Sequence, residues 1–336
     1  MTTELKQTNG KIRVEGRVIG FDPENENTYR QGITKESNKE YRSVSLSVKT
    51  SPTNMIYNLD LFGTVPNKKV KVFSNKNGEK RSLELGFSER NNAPEGFTCF
   101  GFGTVGTGFE KENGRIKMKN YFNLDGAEVI KDSIENDASV WIDGEFNINK
   151  FMSNGEQKQS IKYTIKRIGL KDEIDFDQEN FKEVASFEQE VVIVSHDLDK
   201  ENQRLYVTGR IIDFKQDWDD VVFVVNLKEY EKLGHNIYKK TKFGDLITLQ
   251  GKIVNGVVLT EAPVVDEFDW GGETPEGQGQ RMIKDRVSEL QITNVKDYKA
   301  KVYKEDDFIR FNESSGASPF EDQGKPIDIS DDDLPW

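Results

Sequence analysis

Ile12 to Phe21 (IRVEGRVIGF) and Leu205 to Phe214 (LYVTGRIIDF) place Val, Gly, Arg, Ile and Phe at matched positions. In the first of them Ile12, Val14 and Val18 alternate with Arg13, Glu15 and Arg17, the period-two pattern of a strand with one wet face. A glycine at the centre of such a strand suits a small barrel, where the strand has to bend sharply to close. A second pair behaves alike: Ser139 to Phe146 (SVWIDGEF) and Leu246 to Ile253 (LITLQGKI) each alternate around a central glycine. The two pairs predict an internal repeat of β units.

Short β-branched or aromatic runs separated by Asn-Gly, Asp-Gly and proline turns dominate the rest of the chain. They predict a mainly all-β protein with one or two helices, built as two five-stranded barrels of the oligonucleotide/oligosaccharide-binding (OB) type. The first unit is expected over residues 1–175, with strands at 11–21, 42–50, 56–62, 139–148 and 159–169. A helix near 127–135 precedes its fourth strand, and a large β-hairpin insertion fills about 64–124, turning at Asn77-Gly78. The second unit is expected over 188–265, followed by a linker and a short ordered segment over 266–304, and a disordered acidic tail over 305–336.

A net charge of -12 argues at first against a nucleic-acid binder. From Glu305 to Trp336, however, ten acids stand against two bases, so this stretch holds -8 of the -12 and leaves -4 to the other 304 residues. The body is nearly neutral, and its bases cluster. A hydrophobic content of 35 % beside 32 % charged residues also fits a chain of which part stays solvated.

One cysteine, Cys99, and two histidines, His196 and His235, do not assemble a four-ligand zinc site or a Cys/His nucleophilic pair. No intrachain disulfide is possible. Asp217, Asp219 and Asp220 around Trp218 read as solvated loop charges, and Gly101 to Gly108 lacks the lysine of a phosphate-cradling loop. No enzymatic activity, no catalytic residue, no metal and no cofactor is expected. No apolar run approaches the roughly 20 residues of a membrane helix, and Met1-Thr2-Thr3-Glu4 opens no signal peptide, so a cytoplasmic protein is expected.

Single-stranded nucleic acid needs cations along a groove and aromatic faces for base stacking. Alternation puts Lys69, Lys71 and Phe73 on one strand face and Val70 and Val72 on the other; Arg115, Lys117, Lys119 and Tyr121 share a face likewise. Lys150 and Phe151 open a hairpin whose return strand carries Lys162, and Arg17 adds a cation on the first strand. Phe62 falls opposite in parity to the apolar Leu59 and Leu61. Tyr230, Leu233, Ile237 and Tyr238 fit either a helix packed on its barrel or, with Lys239, Lys240 and Lys242, a second basic and aromatic strip.

Gly20-Phe21-Asp22-Pro23-Glu24 at the end of the first strand, Leu61-Phe62-Gly63 and Val140 to Gly155 (VWIDGEFNINKFMSNG) are similar to segments of the bacterial single-stranded DNA-binding proteins. The closing Asp331-Asp332-Asp333-Leu334-Pro335-Trp336 resembles that family's acidic tip. The resemblance implies base stacking on Phe62 and Phe151 and recruitment of replication or repair proteins through Asp331, Asp332, Asp333, Leu334, Pro335 and Trp336. The long insertion, the second unit and the terminal tryptophan depart from the family and suggest a divergent, phage-encoded member acting in a bacterial or phage-infected cell. Monomer and homodimer both stay open. A recombination mediator or strand-annealing protein, and an OB-fold scaffold for proteins that binds no DNA, are the alternatives.

Overall fold

Val14 and Val18 are fully buried while Arg13, Glu15 and Arg17 between and beside them reach solvent, so strand β1 (Gly10–Val18) has the two-faced character its sequence predicts. The computed structural model describes residues 4–35, 37–76, 79–153, 156–261 and 282–308. Within these, the side chains at 76, 147, 149–151, 153, 156–159, 257–261 and 282–286 are not described.

The first barrel continues with β2 (Tyr29–Ile33), β3 (Glu40–Lys49) and β4 (Met55–Thr64). The insertion follows: β5 (Val70–Lys76), β6 (Glu79–Leu85), β7 (Thr98–Cys99), β8 (Thr104–Glu112) and β9 (Arg115–Phe122). Helix α1 (Asn123–Ser133) then leads to β10 (Ser139–Ser153) and β11 (Glu156–Leu170). The second barrel holds β12 (Val184–Asp199), β13 (Arg204–Ile212), β14 (Trp218–Asn226), α2 (Leu227–Lys240), β15 (Leu246–Glu261) and β16 (Met282–Lys299).

In the first barrel β1 pairs with β3, β3 with β4, β4 with β11, β11 with β10 and β10 with β1, which closes a ring of five. Only the β4–β11 pair, through Leu59↔Tyr163 and Asp60↔Thr164, is parallel. The second barrel repeats this order as β12, β13, β14, β16 and β15, with its one parallel pair at Val224↔Gln291. Each has a helix between its third and fourth strands. This closed order with a parallel third and fifth strand is the OB arrangement.

The barrels join edge to edge. β1 runs antiparallel to β12 with Ile12 opposite Phe187, and one apolar core passes through both. Phe146 of the first barrel meets Phe187 at 5.8 Å between centroids, and Phe187 meets Phe223 of the second at 5.7 Å. Asn54, in the turn between β3 and β4, donates from Nδ2 to the Ile253 carbonyl at 2.9 Å and accepts the Asn255 N–H at 2.7 Å. Thr8 is bonded to Ile212 in both directions, which straps the N-terminal segment across the second barrel.

The match between Ile12–Phe21 and Leu205–Phe214 pairs the first strand of one barrel with the second of the other. Their glycines serve different close approaches: a Cβ on Gly16 would lie 2.1 Å from the Lys49 carbonyl oxygen, whereas one on Gly209 would strike Val191 at 2.8 Å. The equivalent of β1 is β12, which has no glycine to announce it. The match between β10 and β15 does join equivalent fourth strands.

The second unit also does not end at 265. The ordered piece beyond it is β16, which seals the barrel between β14 and β15; without it both neighbours would have open edges. Nor does the tail begin at 305. Glu305–Phe308 forms a short 3-10 turn that buries Phe308 against Trp218, Tyr303 and Phe243, with the Arg210 guanidinium 4.5 Å from its ring. The remainder of the tail, Asp331 to Trp336 included, lies outside the described residues, as does the turn at Asn77-Gly78. Helix α1 starts four residues earlier than expected, at Asn123.

Candidate nucleic-acid interface

In an OB barrel the second and third strands, with the loops beside them, form the face that receives an oligomer. Here those strands are β3 and β4. Val44, Leu46 and Val48 point into the barrel from β3, as do Ile56, Leu59 and Leu61 from β4. Period two then turns Tyr41, Ser43 and Ser45 outward from β3, and Asp60 and Phe62 outward from β4. Asn58 breaks the alternation with φ 57 at a bulge, where the register shifts between Leu46 and Val48; Tyr57 therefore lies half-buried outside the core.

The rings of Tyr41 and Phe62 stack with centroids 5.8 Å apart and planes 17° from parallel. Tyr41 also lies over β2, where a Cβ on Gly32 would be 3.1 Å from its ring. On one flank β2 sets Arg30 opposite Ser43, its Nε donating to the Glu26 carbonyl at 2.5 Å. On the other flank the parallel β11 brings Lys162 to 3.7 Å from Asp60, whose second oxygen accepts the Ser45 hydroxyl at 2.5 Å. Lys166 follows four residues along, 2.7 Å from Glu145. Two stacked rings thus lie between cations on neighbouring strands, with hydroxyls between them.

A family model described as YorF matches residues 112–317 of the chain, more than half of its 336 residues. This chain belongs to the YorF family. The YorF match takes in β9, α1, β10, β11 and the whole second barrel, and leaves β3 and β4 outside it. A search of curated proteins finds no match to the sequence. Among solved structures, the chain is similar to a deletion mutant of the single-stranded DNA binding protein from Thermus aquaticus, at 8 % identity and a TM-score of 0.38, over 86 % of this chain and 94 % of that one. The wild-type form of the same protein matches at 8 % identity and 0.39, over 87 % and 93 %.

Of the residues singled out in the sequence of this YorF chain, Phe62 and Lys162 come together on the β3–β4–β11 face. Tyr41, Tyr57 and Arg30 join them without having been singled out. Tyr41 could have been found by extending the parity of Val44, Leu46 and Val48 backwards along β3. Tyr57 could not, because the bulge resets the period.

The other candidates lie elsewhere. Lys71 and Phe73 do face away from the buried Val70 and Val72 on β5, with Lys71 3.2 Å from Glu84 of β6; Lys69, just before β5, is exposed. On β9, Lys117 pairs with Glu112 at 2.7 Å and Lys119 with Glu110 at 2.5 Å, Arg115 is exposed at the hairpin end, and Tyr121 packs against the core. Arg17 is bound into the loop after β11, donating to the Ile174 carbonyl at 2.8 Å with its guanidinium over Phe176. The backbone of Lys150 and Phe151 continues β10 along the β10–β11 hairpin, while their side chains are not described.

Arg210 grips both carboxylate oxygens of Asp220, at 2.7 and 2.8 Å. Cys99 is buried, and that burial pushes its thiol up to about 11. Burial also lowers the His196 pKa, and its Nε2 lies 2.8 Å from the Thr241 hydroxyl. Among the described residues, no group of three or more His, Cys, Asp or Glu could hold a metal ion. No described helix is long and apolar enough to cross a membrane. The stretch with two open readings, Tyr230 to Tyr238, is part of α2 and packs Ile237, Tyr230 and Leu233 onto the barrel.

Proposed function

We propose that this chain holds single-stranded DNA across the outer face of β3 and β4, coating it during replication or recombination, and that it works by binding and not by catalysis. The stacked Tyr41–Phe62 pair between Arg30 and Lys162 carries this reading. Flat rings accept any base, and flanking cations follow a backbone of regularly spaced phosphates, so the pattern serves binding without sequence preference. In the second barrel the equivalent outward positions are Tyr206, Thr208 and Arg210 on β13, beside Asp220 and Val222 on β14. Arg210 and Arg204 there are each closed by a carboxylate, Asp220 and Glu289. These outward positions offer one ring, Tyr206, against the stacked Tyr41–Phe62 pair, so in this reading the first barrel is the principal DNA surface.

The acidic stretch beyond Phe308 gives the second half of the reading. Its acids compete with DNA for the cationic face when DNA is absent, and Asp331 to Trp336 docks on replication or repair proteins: an indole for an apolar pocket, aspartates for a basic rim.

Anisotropy of a labelled oligo-dT titrated with the full chain at several salt concentrations tests the class. Log K should fall linearly with log salt, by about 0.7 for each phosphate neutralised, and duplex of the same length should bind far more weakly. Equal affinity for single strand and duplex, or no binding at low salt, would overturn it.

A further inference from the structure

Phe100 and Phe102 are 72 % and 74 % exposed, and Phe214, in the loop between β13 and β14, is 55 % exposed. Soluble proteins seldom leave several phenyl rings in water at one place unless the place binds something. The rings are held outward by built turns. Gly101 and Gly103 adopt φ 102 and φ 71, the left-handed region open to glycine, and so set Phe100 and Phe102 off the barrel. The turn is pinned by the Thr104 hydroxyl donating to the Gly101 carbonyl at 2.7 Å, and by the Asn123 N–H donating to the Gly103 carbonyl at 2.9 Å.

Phe214 is presented in the same manner. Asp213 accepts the N–H groups of Lys215 and Asp217 at 2.8 and 2.9 Å, which commits its carboxylate to the turn, and Lys215 Nζ lies 5.9 Å from the Phe214 ring. Phe102 and Phe214 meet edge to face with centroids 6.5 Å apart, so the insertion of the first barrel touches a loop of the second. Phe73 extends the row at the other end: it is 39 % exposed, and its register partner Thr98 is two residues from Phe100. The flanking segment 65–100 carries seven bases against four acids, a net +3 in a chain of -12.

We propose that Phe73, Phe100, Phe102 and Phe214 form a second base-stacking site, which carries a single strand of nucleic acid from the insertion of the first barrel across to the second. The site rests on the reading that the chain binds single-stranded DNA, and adds a path to it. The net positive segment 65–100 at the insertion end favours a polyanion over a second protein as the occupant there, Lys215 is the base beside Phe214, and the exposed rings suit consecutive bases.

The test compares two full-length variants on two probes: oligo-dT of about 8 nucleotides, enough for one barrel, and of about 30, enough to pass on to a second. A variant carrying Phe100→Ala, Phe102→Ala and Phe214→Ala removes only exposed rings, so circular dichroism should match the parent. It should bind the short probe as the parent does and the long probe at least about tenfold more weakly. Ultraviolet crosslinking of the long probe to the parent should label peptides containing residues 100–102 and 214. A variant with Tyr41→Ala and Phe62→Ala should weaken both probes.

Parent-like binding of both probes by the triple variant, with no label at these peptides, would overturn the path and leave the main face standing. Loss with the triple variant but none with the Tyr41 and Phe62 pair would overturn the main face and leave the row. A parent that self-associates in light scattering through these rings, with unchanged affinity for both probes in the triple variant, would assign the row to a second copy and overturn the proposal.

Discussion

Tyr41 and Phe62 sit on neighbouring strands but not opposite one another: Tyr41 faces Thr64 and Phe62 faces Ser43, so their rings meet diagonally, 5.8 Å apart and 17° from parallel. Diagonal neighbours on one sheet face are within reach of aromatic side chains. The pair is therefore positioned by backbone register, and substituting either ring should alter the surface without disturbing the core beneath it.

Lys162 lies 3.7 Å from Asp60, a carboxylate that also accepts the Ser45 hydroxyl. A phosphate can take its place beside Lys162. Lys162→Ala should lower the slope of log K against log salt by about 0.7, one phosphate contact, and leave the melting temperature within experimental scatter. An unchanged slope would remove Lys162 from the interface.

Phe187 stands between Phe146 of the first barrel and Phe223 of the second, 3 % exposed. Phe187→Ala should destabilise the chain by about 3 to 5 kcal/mol through lost burial and the cavity left behind. Because the core is continuous, the parent should melt in one calorimetric transition and the variant in two. A single shifted transition would show that β1–β12 pairing alone couples the barrels.

Glu188 crosses the seam between the barrels. The Lys296 ammonium, with Gln250 and Lys11 adding to it against the cost of burial, holds its carboxyl down to about 2. A depressed folded pKa stabilises above the unfolded value, 4.5, and that stability is lost as pH falls toward about 2. Glu188→Gln should cost roughly 0.5 to 1.5 kcal/mol at neutral pH and flatten the acid limb of stability between these values, read from urea midpoints at stepped pH.

Removing the residues after Ile327 takes away four aspartates, Asp328 and Asp331 to Asp333, together with Leu334, Pro335 and Trp336, and leaves a net -4 between Glu305 and Ile327. DNA affinity at low salt should hold or rise, and capture of replication proteins should be lost. Undiminished capture would end the docking role of that segment.

Much of this architecture is visible in the sequence, because period-two burial writes itself into β1, β3, β4, β10 and β11. What escapes is decided by tertiary closure. β16 is separated from β15 by a Gly- and Pro-rich stretch, and only the open edges of β14 and β15 require it. Phe308 follows three acids and looks like tail, yet it anchors on Trp218 and Arg210. The β1 and β13 glycines look alike because each admits a close neighbour, although the neighbours differ. At the interface, Phe62 and Lys162 follow strand parity, whereas Tyr57 is turned outward by a bulge that no alternation foretells.

In the proposed function the Tyr41–Phe62 face of the first barrel holds single-stranded DNA. Binding of oligo-dT by a variant with both Tyr41→Ala and Phe62→Ala, checked by circular dichroism for an intact fold, tests it most directly. Affinity should fall by about 1 to 3 kcal/mol for each stack lost, with the salt slope retained because the cations remain. Parent-like affinity in a folded double variant would contradict the account.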